Sequence, residues 1–343
     1  MNIEKKTAIV TGAAGFIGYH TAKRLLDSGW RVVGVDCMSD YYDVGLKRER
    51  ERILLDYTSY RSIHDKVETR NLALSLFQEE QPEVVIHLAA QAGVRHSIEN
   101  PRTYLESNIN GTFELLEAAR SYPPRHMLLA STSSVYGANT KMPYVELDKT
   151  DHQMSFYAAT KKSTECMAHS YSHLYQIPIT MFRFFTVYGP WGRPDMALHK
   201  FTDAILKKDP IDVYNSGNMK RDFTYIDDLI EAVTRLIETP PAALDTVSIY
   251  NNDSISPVAP WRVVNIGNSQ PVPLIDFIKA IEIATGNKAI LNYMPMQDGD
   301  VPQTWADASL LRSLTGFNPT TGINEGIDSF VRWFKQYYRI EVL

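Results

Sequence analysis

The chain has 343 residues, 44% hydrophobic and 22% charged, with a formal net charge of -5, which suits a globular protein of one large or two medium domains. That charge offers no electrostatic footprint for nucleic acid, and no basic stripe runs through the sequence. No apolar run approaches the roughly 20 residues that span a bilayer. Glu4, Lys5 and Lys6 lead straight into an apolar strand, without a signal-peptide pattern. The two cysteines, Cys37 and Cys166, form neither a disulfide framework nor a metal-ligand spacing. The expectation is a cytoplasmic protein with free thiols, no metal and no membrane segment.

Thr7–Val10 reads as a short strand that delivers the chain into Thr11-Gly12-Ala13-Ala14-Gly15-Phe16-Ile17-Gly18. Glycines at 12, 15 and 18 suit a tight strand-to-helix turn, a close backbone approach to a pyrophosphate, and a helix lying hard against the sheet. A helix through Tyr19–Ser28, a stop at Gly29 and a second strand at Arg31–Val35 bring the chain to Asp36. A carboxylate about 20 residues beyond the glycines accepts from the adenosine ribose hydroxyls and repels a 2′-phosphate, so the expected cofactor is NAD rather than NADP.

The run Lys47-Arg48-Glu49-Arg50-Glu51-Arg52 predicts an exposed, salt-bridged helix. A third strand is expected at Val67–Leu72, a helix at Leu74–Glu80, and a buried fourth strand at Val84–Leu88. That strand ends in Ala89-Ala90, small residues that let a cofactor pass, and its His87 is expected to pack in the core. A helix at Pro101–Arg120 and a fifth strand at Met127–Ala130 follow, the strand opening into Ser131-Thr-Ser-Ser-Val-Tyr-Gly137.

The next helix carries Tyr157 and Lys161, four apart and so on one face. A free phenol, with a pKa of about 10, is a poor base; a nearby ammonium favours the phenolate, so Lys161 is expected to lower that pKa and make Tyr157 a general base. A hydroxyl at the fifth strand's end can donate to a substrate oxygen beside it. Alone, Tyr-x-x-x-Lys reads sooner as a Tyr packed on a helix with its Lys in solvent; the dinucleotide turn upstream, Thr132 beside it and the arginines downstream favour the chemical reading.

In the second half a sixth strand is expected at Thr180–Phe185, then an irregular stretch through Gly189-Pro190-Trp191-Gly192-Arg193-Pro194. A helix at Met196–Lys207, a strand at Ile211–Tyr214, a helix at Ile226–Ile237 and a strand at Arg262–Ile266 follow, with Pro240–Pro260 read as a surface loop. The fold class is α/β, a doubly wound parallel sheet of Rossmann type spanning 1–186 and rejoined at about 222–266; residues 187–221 and 267–343 are expected to form a smaller substrate-binding lobe. Arg193 and Arg221 are the cations expected in the pocket, because a guanidinium meets a carboxylate or phosphate with two parallel hydrogen bonds.

Thr11-Gly-Ala-Ala-Gly-Phe-Ile-Gly18, His87-Leu-Ala-Ala90, Ser131-Thr-Ser-Ser-Val-Tyr-Gly137 and Tyr157-Ala-Ala-Thr-Lys161 resemble, in order along nearly the whole chain, the extended short-chain dehydrogenase/reductase family of nucleotide-sugar enzymes. Within it, Gly93-Val-Arg-His-Ser97, the stretch Phe182–Met196 and Lys220-Arg-Asp-Phe-Thr-Tyr-Ile-Asp-Asp228 look like UDP-glucuronate 4-epimerases. The resemblance implies NAD held by Gly12, Gly15, Phe16, Ile17, Gly18, Asp36, Ala89, Ala90, Tyr157 and Lys161, with Thr132, Tyr157 and Lys161 catalytic. It further implies Arg193 and Thr186 at the sugar carboxylate, with Arg95 and Thr132 lining that pocket, Arg221 on the pyrophosphate, Asp300 on the uridine ribose, and a homodimer through helices near 101–120 and 157–175.

The implied reaction is 4-epimerisation of UDP-glucuronate to UDP-galacturonate through a 4-keto sugar, with no decarboxylation. Ser133 and Ser134 stand where related dehydratases and decarboxylases carry carboxylates, which favours epimerisation. The chain departs from its relatives at Asn71, taken as the position after the third strand where many carry an acid, and at Gln297, where hexose epimerases carry an Arg. A 4-epimerase of UDP-glucose or UDP-N-acetylglucosamine, a net NAD-dependent reductase and a non-catalytic dinucleotide sensor are the other readings.

Overall fold

A computed structural model describes residues 6–242, 252–297 and 301–340. Its strands, in chain order, are β1 (Thr7–Thr11), β2 (Arg31–Val35), β3 (Tyr60–Ile63), β4 (Val84–His87), β5 (His126–Thr132), β6 (Ile179–Phe184), β7 (Thr186–Tyr188), β8 (Pro210–Val213), β9 (Lys220–Tyr225), β10 (Trp261–Ile266), β11 (Pro271–Pro273) and β12 (Ile290–Tyr293). Seven of them form one parallel sheet in the order β10-β6-β5-β4-β1-β2-β3. Chain order reverses beside β1, and a doubly wound sheet opens its ligand crevice at the carboxyl ends of the strands flanking such a reversal.

Successive strand residues face opposite sides, so both faces need covering. Ala8 and Val10 pack with Leu25 of α1 (Phe16–Asp27) and Leu229 of the helix Ile226–Ile237. Ile9 faces the other way, into Leu76, Leu115 and Ala168 from the helices Leu72–Glu80, Gly111–Ser121 and Phe156–Tyr175. The chain's return at β10 extends the sheet beyond β6, in register from Trp261 with Ile179 to Ile266 with Phe184.

Two sequence expectations are corrected. The third strand is Tyr60–Ile63, and residues 67–71 form turns. Tyr60-Arg-Ser-Ile is an edge strand, half-buried at all four positions and paired to β2 alone, so it lacks the apolar run of an interior parallel strand. Val67 is buried as a single loop side chain. The acidic residue following the third strand is therefore Asp65, not Asn71, which lies just before the next helix.

The charged helix, α2 (Val44–Leu55), is not simply exposed. Lys47, Arg50 and Glu51 are buried along with Leu46 and Leu54, while Arg52 pairs with Glu49 on the outer face. Spacings of three and four put the first set on one inward stripe.

The remaining elements make a three-stranded sheet, β11-β9-β7, and a two-stranded sheet, β12-β8. The helices Ala197–Lys207, Leu274–Thr285 and Ile323–Tyr337 close over an aromatic core where Phe223 stacks on Phe277 with centroids 4.3 Å apart. Of the expected loop at 240–260, residues 243–251 lie outside the described residues. Its later part is tied down, Ser256 N donating to Trp261 O at 2.8 Å and Arg262 pairing with Asp253. No described helix is long and apolar enough to cross a membrane.

Candidate active site

At the end of β1, Gly12 takes φ +71 and its N–H donates to Val35 O at 2.7 Å. A Cβ there would lie 2.8 Å from Ala89 N, and one on Gly18 would lie 1.9 Å from Gly12 O. Only glycine allows the turn, the neighbouring strand end and the first turn of α1 to approach this closely. Asp36, at the end of β2, accepts from Ala14 N at 3.0 Å and from Met38 N at 2.8 Å. These features fit a dinucleotide: a bare-backbone cradle at a helix N-terminus, with a fixed carboxylate a strand away.

Thr11 Oγ1 accepts from Leu88 N and Ala89 N and donates to His87 Nδ1 at 2.7 Å; His87 Nε2–H in turn reaches Thr112 Oγ1 at 3.1 Å. Burial, with the Lys161 cation second, lowers the His87 pKa to about 3. His87 is thus a neutral brace in the core.

Ser155 caps the next helix by accepting from Ala158 N at 3.1 Å, and the helix runs Phe156–Tyr175. Thr132, the last residue of β5, accepts from Ser134 N at 3.2 Å and faces the Tyr157 phenol. Burial raises the Tyr157 pKa, while the Thr132 hydroxyl and the Arg193 charge oppose it. Lys161 turns inward and donates to Ala130 O at 2.8 Å; burial lowers its pKa to about 8, against the pull of Glu165. The expected lowering of the phenol by Lys161 is therefore not what the structure shows. Its ammonium is committed to the strand-end carbonyl, and the groups that favour the phenolate are Thr132 and Arg193.

Three features that support this helix escaped the sequence reading. Leu105–Asn110 is a widened π turn, and from it Asn108 accepts from Gln91 N at 2.8 Å and donates to Thr160 Oγ1 at 3.0 Å. Glu165 and Arg183 form a buried two-bond pair at 2.9 Å each, with Ser131 Oγ donating to the same carboxylate at 2.7 Å. Arg183 lies inside the stretch that carries the family resemblance, but only the fold reveals its partner.

The third feature surrounds Arg193. Its Nε and Nη2 donate to Asp195 at 3.0 and 2.5 Å, and its guanidinium lies 5.7 Å from the centroid of Tyr41. From there Tyr41, His96, Tyr104 and Tyr157 form a chain of ring contacts, with centroids 4.8, 6.0 and 6.0 Å apart. Arg193 thus sits at one end of an aromatic wall and the Tyr157 phenol at the other. The Asp195 signal was available two residues after Arg193, but sequence alone does not show that the two side chains pair.

The other expected substrate residues are more spread out. Thr186 opens β7 and registers with Phe223 of β9, two residues from Arg221. Arg221 Nη1 donates to Lys220 O at 2.9 Å, and its charge bears on Tyr144. Arg95 lies over the Tyr214 ring at 5.1 Å. Gln297 buries Oε1 with no partner among the described residues. Asp300 lies outside the described residues. Among those described, no group of His, Cys, Asp and Glu is arranged to hold a metal ion.

The model of the NAD dependent epimerase/dehydratase family matches residues 8–251. A Rhizobium meliloti (strain 1021) protein named probable UDP-glucuronate 4-epimerase is 53% identical over 332 residues, 96% of this chain and 97% of its own length. Arabidopsis thaliana UDP-glucuronate 4-epimerase 4 is 45% identical over 97% of this chain and 76% of its own. The Bacillus cereus UDP-glucuronic acid 4-epimerase, crystallised with UDP-glucuronic acid and NAD, superimposes with a TM-score of 0.85 at 34% identity, covering 97% of this chain and 100% of that one.

Proposed function

This chain belongs to the NAD dependent epimerase/dehydratase family, and from that premise we propose that it interconverts UDP-glucuronate and UDP-galacturonate through a transient 4-keto sugar, without losing carbon dioxide. The observation that carries this reading is the position of Arg193. Its guanidinium stacks over Tyr41, whose ring contacts run through His96 and Tyr104 to Tyr157, so a cation suited to a carboxylate stands on the same aromatic wall as a phenol suited to a hydroxyl proton.

In this scheme Tyr157 takes the proton of the C4 hydroxyl, and later returns it. Thr132 donates to the oxygen that carries charge, whether the phenolate or the sugar oxygen, and so offsets the burial that raises the phenol's pKa. Lys161, anchored on Ala130 O, supplies positive potential beneath the end of β5 and would donate to the nicotinamide ribose of bound NAD. The Gly12–Gly18 turn would hold NAD, with Asp36 at its adenosine ribose, and the bound cofactor would supply reversible hydride acceptance at C4. Phe16, Ile17, Ala89 and Ala90 complete that seat.

A 4-keto sugar with a carboxylate at C6 is a β-keto acid. Carbon dioxide departs when the bond to that carboxylate aligns with the carbonyl π system. Arg193 and Thr186 hold the carboxylate out of that alignment. Because Asp195 takes the Nε–H and one Nη2–H, the two Nη1 hydrogens and the second Nη2 hydrogen are left for the sugar carboxylate. Arg95 lines the same pocket, Arg221 holds the pyrophosphate and Asp300 the uridine ribose. Residues 187–221 and 267–343 serve as the substrate-binding lobe.

A homodimer and a cytoplasmic location belong to the same proposal. Leu105, Phe113, Phe156, Leu174 and Tyr175 leave large apolar groups exposed on the helices expected to pair, and Cys37 and Cys166 are free and exposed, as suits a reducing compartment.

UDP-glucuronate deuterated at C4 tests the chemistry. The proposal expects UDP-galacturonate that retains deuterium at C4; loss of the label to solvent would rule out hydride return at that carbon.

A further inference from the structure

Two consecutive carbonyls in the loop that carries Arg193 are held from the dinucleotide-binding half of the chain. His20, on α1, bonds Pro190 O at 3.0 Å through Nε2. Burial lowers the pKa of His20 to about 4, so at neutral pH it is an uncharged imidazole whose Nε2–H donates. Arg50, on α2, donates through Nη2 to Trp191 O at 2.5 Å and through Nη1 to Ala14 O and Tyr42 OH, both at 2.9 Å.

Arg50 is fully buried, and its Nε has no partner among the described residues. No described carboxylate pairs with it, which is an expensive arrangement for a cation kept only to fill space. Its bonds join the two parts of the site. Ala14 belongs to the glycine turn and is itself bonded to Asp36, whereas Trp191 is two residues from Arg193.

The loop needs such ties. Trp191 has φ +63, a left-handed backbone that a bulky residue keeps only where its surroundings enforce it. Gly192 N closes the turn on Gly189 O at 3.0 Å. The Trp191 ring is packed by Tyr19, Trp333 and Tyr337, with centroids 5.6, 5.3 and 5.4 Å away. That packing fixes the ring, and the bonds from His20 and Arg50 fix the backbone from which Arg193 projects.

We propose that Arg50 and His20 are positioning residues that set Arg193 against the sugar carboxylate by tying its loop to the dinucleotide turn. The inference rests on the epimerase reading above. When the tie is cut, Arg193 no longer holds the carboxylate out of alignment in the 4-keto sugar. The C5–C6 bond can then break, its electron pair entering the C4 carbonyl as an enolate, with carbon dioxide leaving and a solvent proton ending on C5. The product after hydride return is a UDP-pentose.

The test uses the protein purified with its bound cofactor and the variants Arg50→Met, Arg50→Lys and His20→Leu. UDP, which lacks the carboxylate, and UDP-glucuronate are titrated calorimetrically, and the reaction products are separated. The expected result is UDP affinity within twofold of wild type, UDP-glucuronate affinity weaker by about tenfold, and a new UDP-pentose fraction, with Arg50→Lys intermediate because one amine reaches one carbonyl. Equal losses for both ligands, or no loss for either, would overturn the inference. Should Arg50→Met fail to fold, His20→Leu carries the same comparison. If the wild type itself makes no UDP-galacturonate, the epimerase reading falls and this inference with it. If the wild type epimerises and the variants lose both ligands alike, only this inference falls.

Discussion

The glycine turn at residues 12–18 and the loop at 189–195 are built in opposite ways. The turn is fixed by what its own residues lack: without a Cβ at Gly12 and Gly18, its backbone meets that of Ala89 at the neighbouring strand end and its own first helical turn. The loop is fixed by groups 141 and 170 residues distant, Arg50 and His20, which hold its carbonyls from another part of the fold. A site element set by the identity of its own residues can be read as a motif, whereas one held by side chains from distant partners needs the structure.

The helix between these two regions supplies the reacting group, so the largest effect is expected there. Tyr157→Phe should lower kcat by about three orders of magnitude, leaving bound NAD and the melting temperature near wild type; a variant that melts early would show the phenol to be structural instead. Breaking the local element comes next. Gly18→Ala sets a methyl 1.9 Å from the Gly12 carbonyl and should cost about 3 kcal/mol of stability together with bound NAD, read from urea denaturation and from nucleotide released on acid precipitation.

Breaking the distant-held element has a different signature. Arg193→Ala should raise KM for UDP-glucuronate by 10-fold or more, roughly the 2 kcal/mol of a charged hydrogen-bond pair, and should release some UDP-pentose while the fold stays intact. Unchanged turnover and no pentose would remove Arg193 from the account.

The smallest effect concerns Glu146, buried beside Arg183 and accepting from Asn265 N at 2.8 Å. Burial raises its pKa to about 7. The folded state therefore binds a proton more tightly than the unfolded chain, whose carboxyl titrates near 4.3. The resulting stabilisation is complete below that value and is lost as pH rises through 7. Glu146→Gln should flatten the decline of unfolding free energy between pH 5 and 8; an unchanged slope would assign the decline to other groups.

The same contrast explains what the sequence made legible. The dinucleotide turn, Asp36, the parallel strands other than the third and the Tyr157 helix follow from local pattern, and stand in the structure as elements. The third strand was misplaced because Tyr60-Arg-Ser-Ile is an edge strand with little apolar content, while Val67 imitated a strand start from a loop. The charged run on α2 reads as solvated, whereas three of its charges find partners off the helix: Lys47 on Ser39, Glu51 on Ser62 and His64, Arg50 on the carbonyls of Ala14 and Trp191. Tyr157 and Lys161 do share a helix face, yet helix spacing cannot say that the lysine reaches Ala130 O rather than the phenol. Nor could it reveal that Asp195 occupies one edge of Arg193.

The central claim is carboxylate-directed 4-epimerisation. Its most direct test is to incubate the protein separately with UDP-glucuronate, UDP-glucose and UDP-N-acetylglucosamine and separate the products. The account predicts UDP-galacturonate from the first, with no UDP-pentose and no accumulating NADH, and at most trace conversion of the two neutral sugars. Conversion of a neutral sugar with UDP-glucuronate left untouched would contradict it.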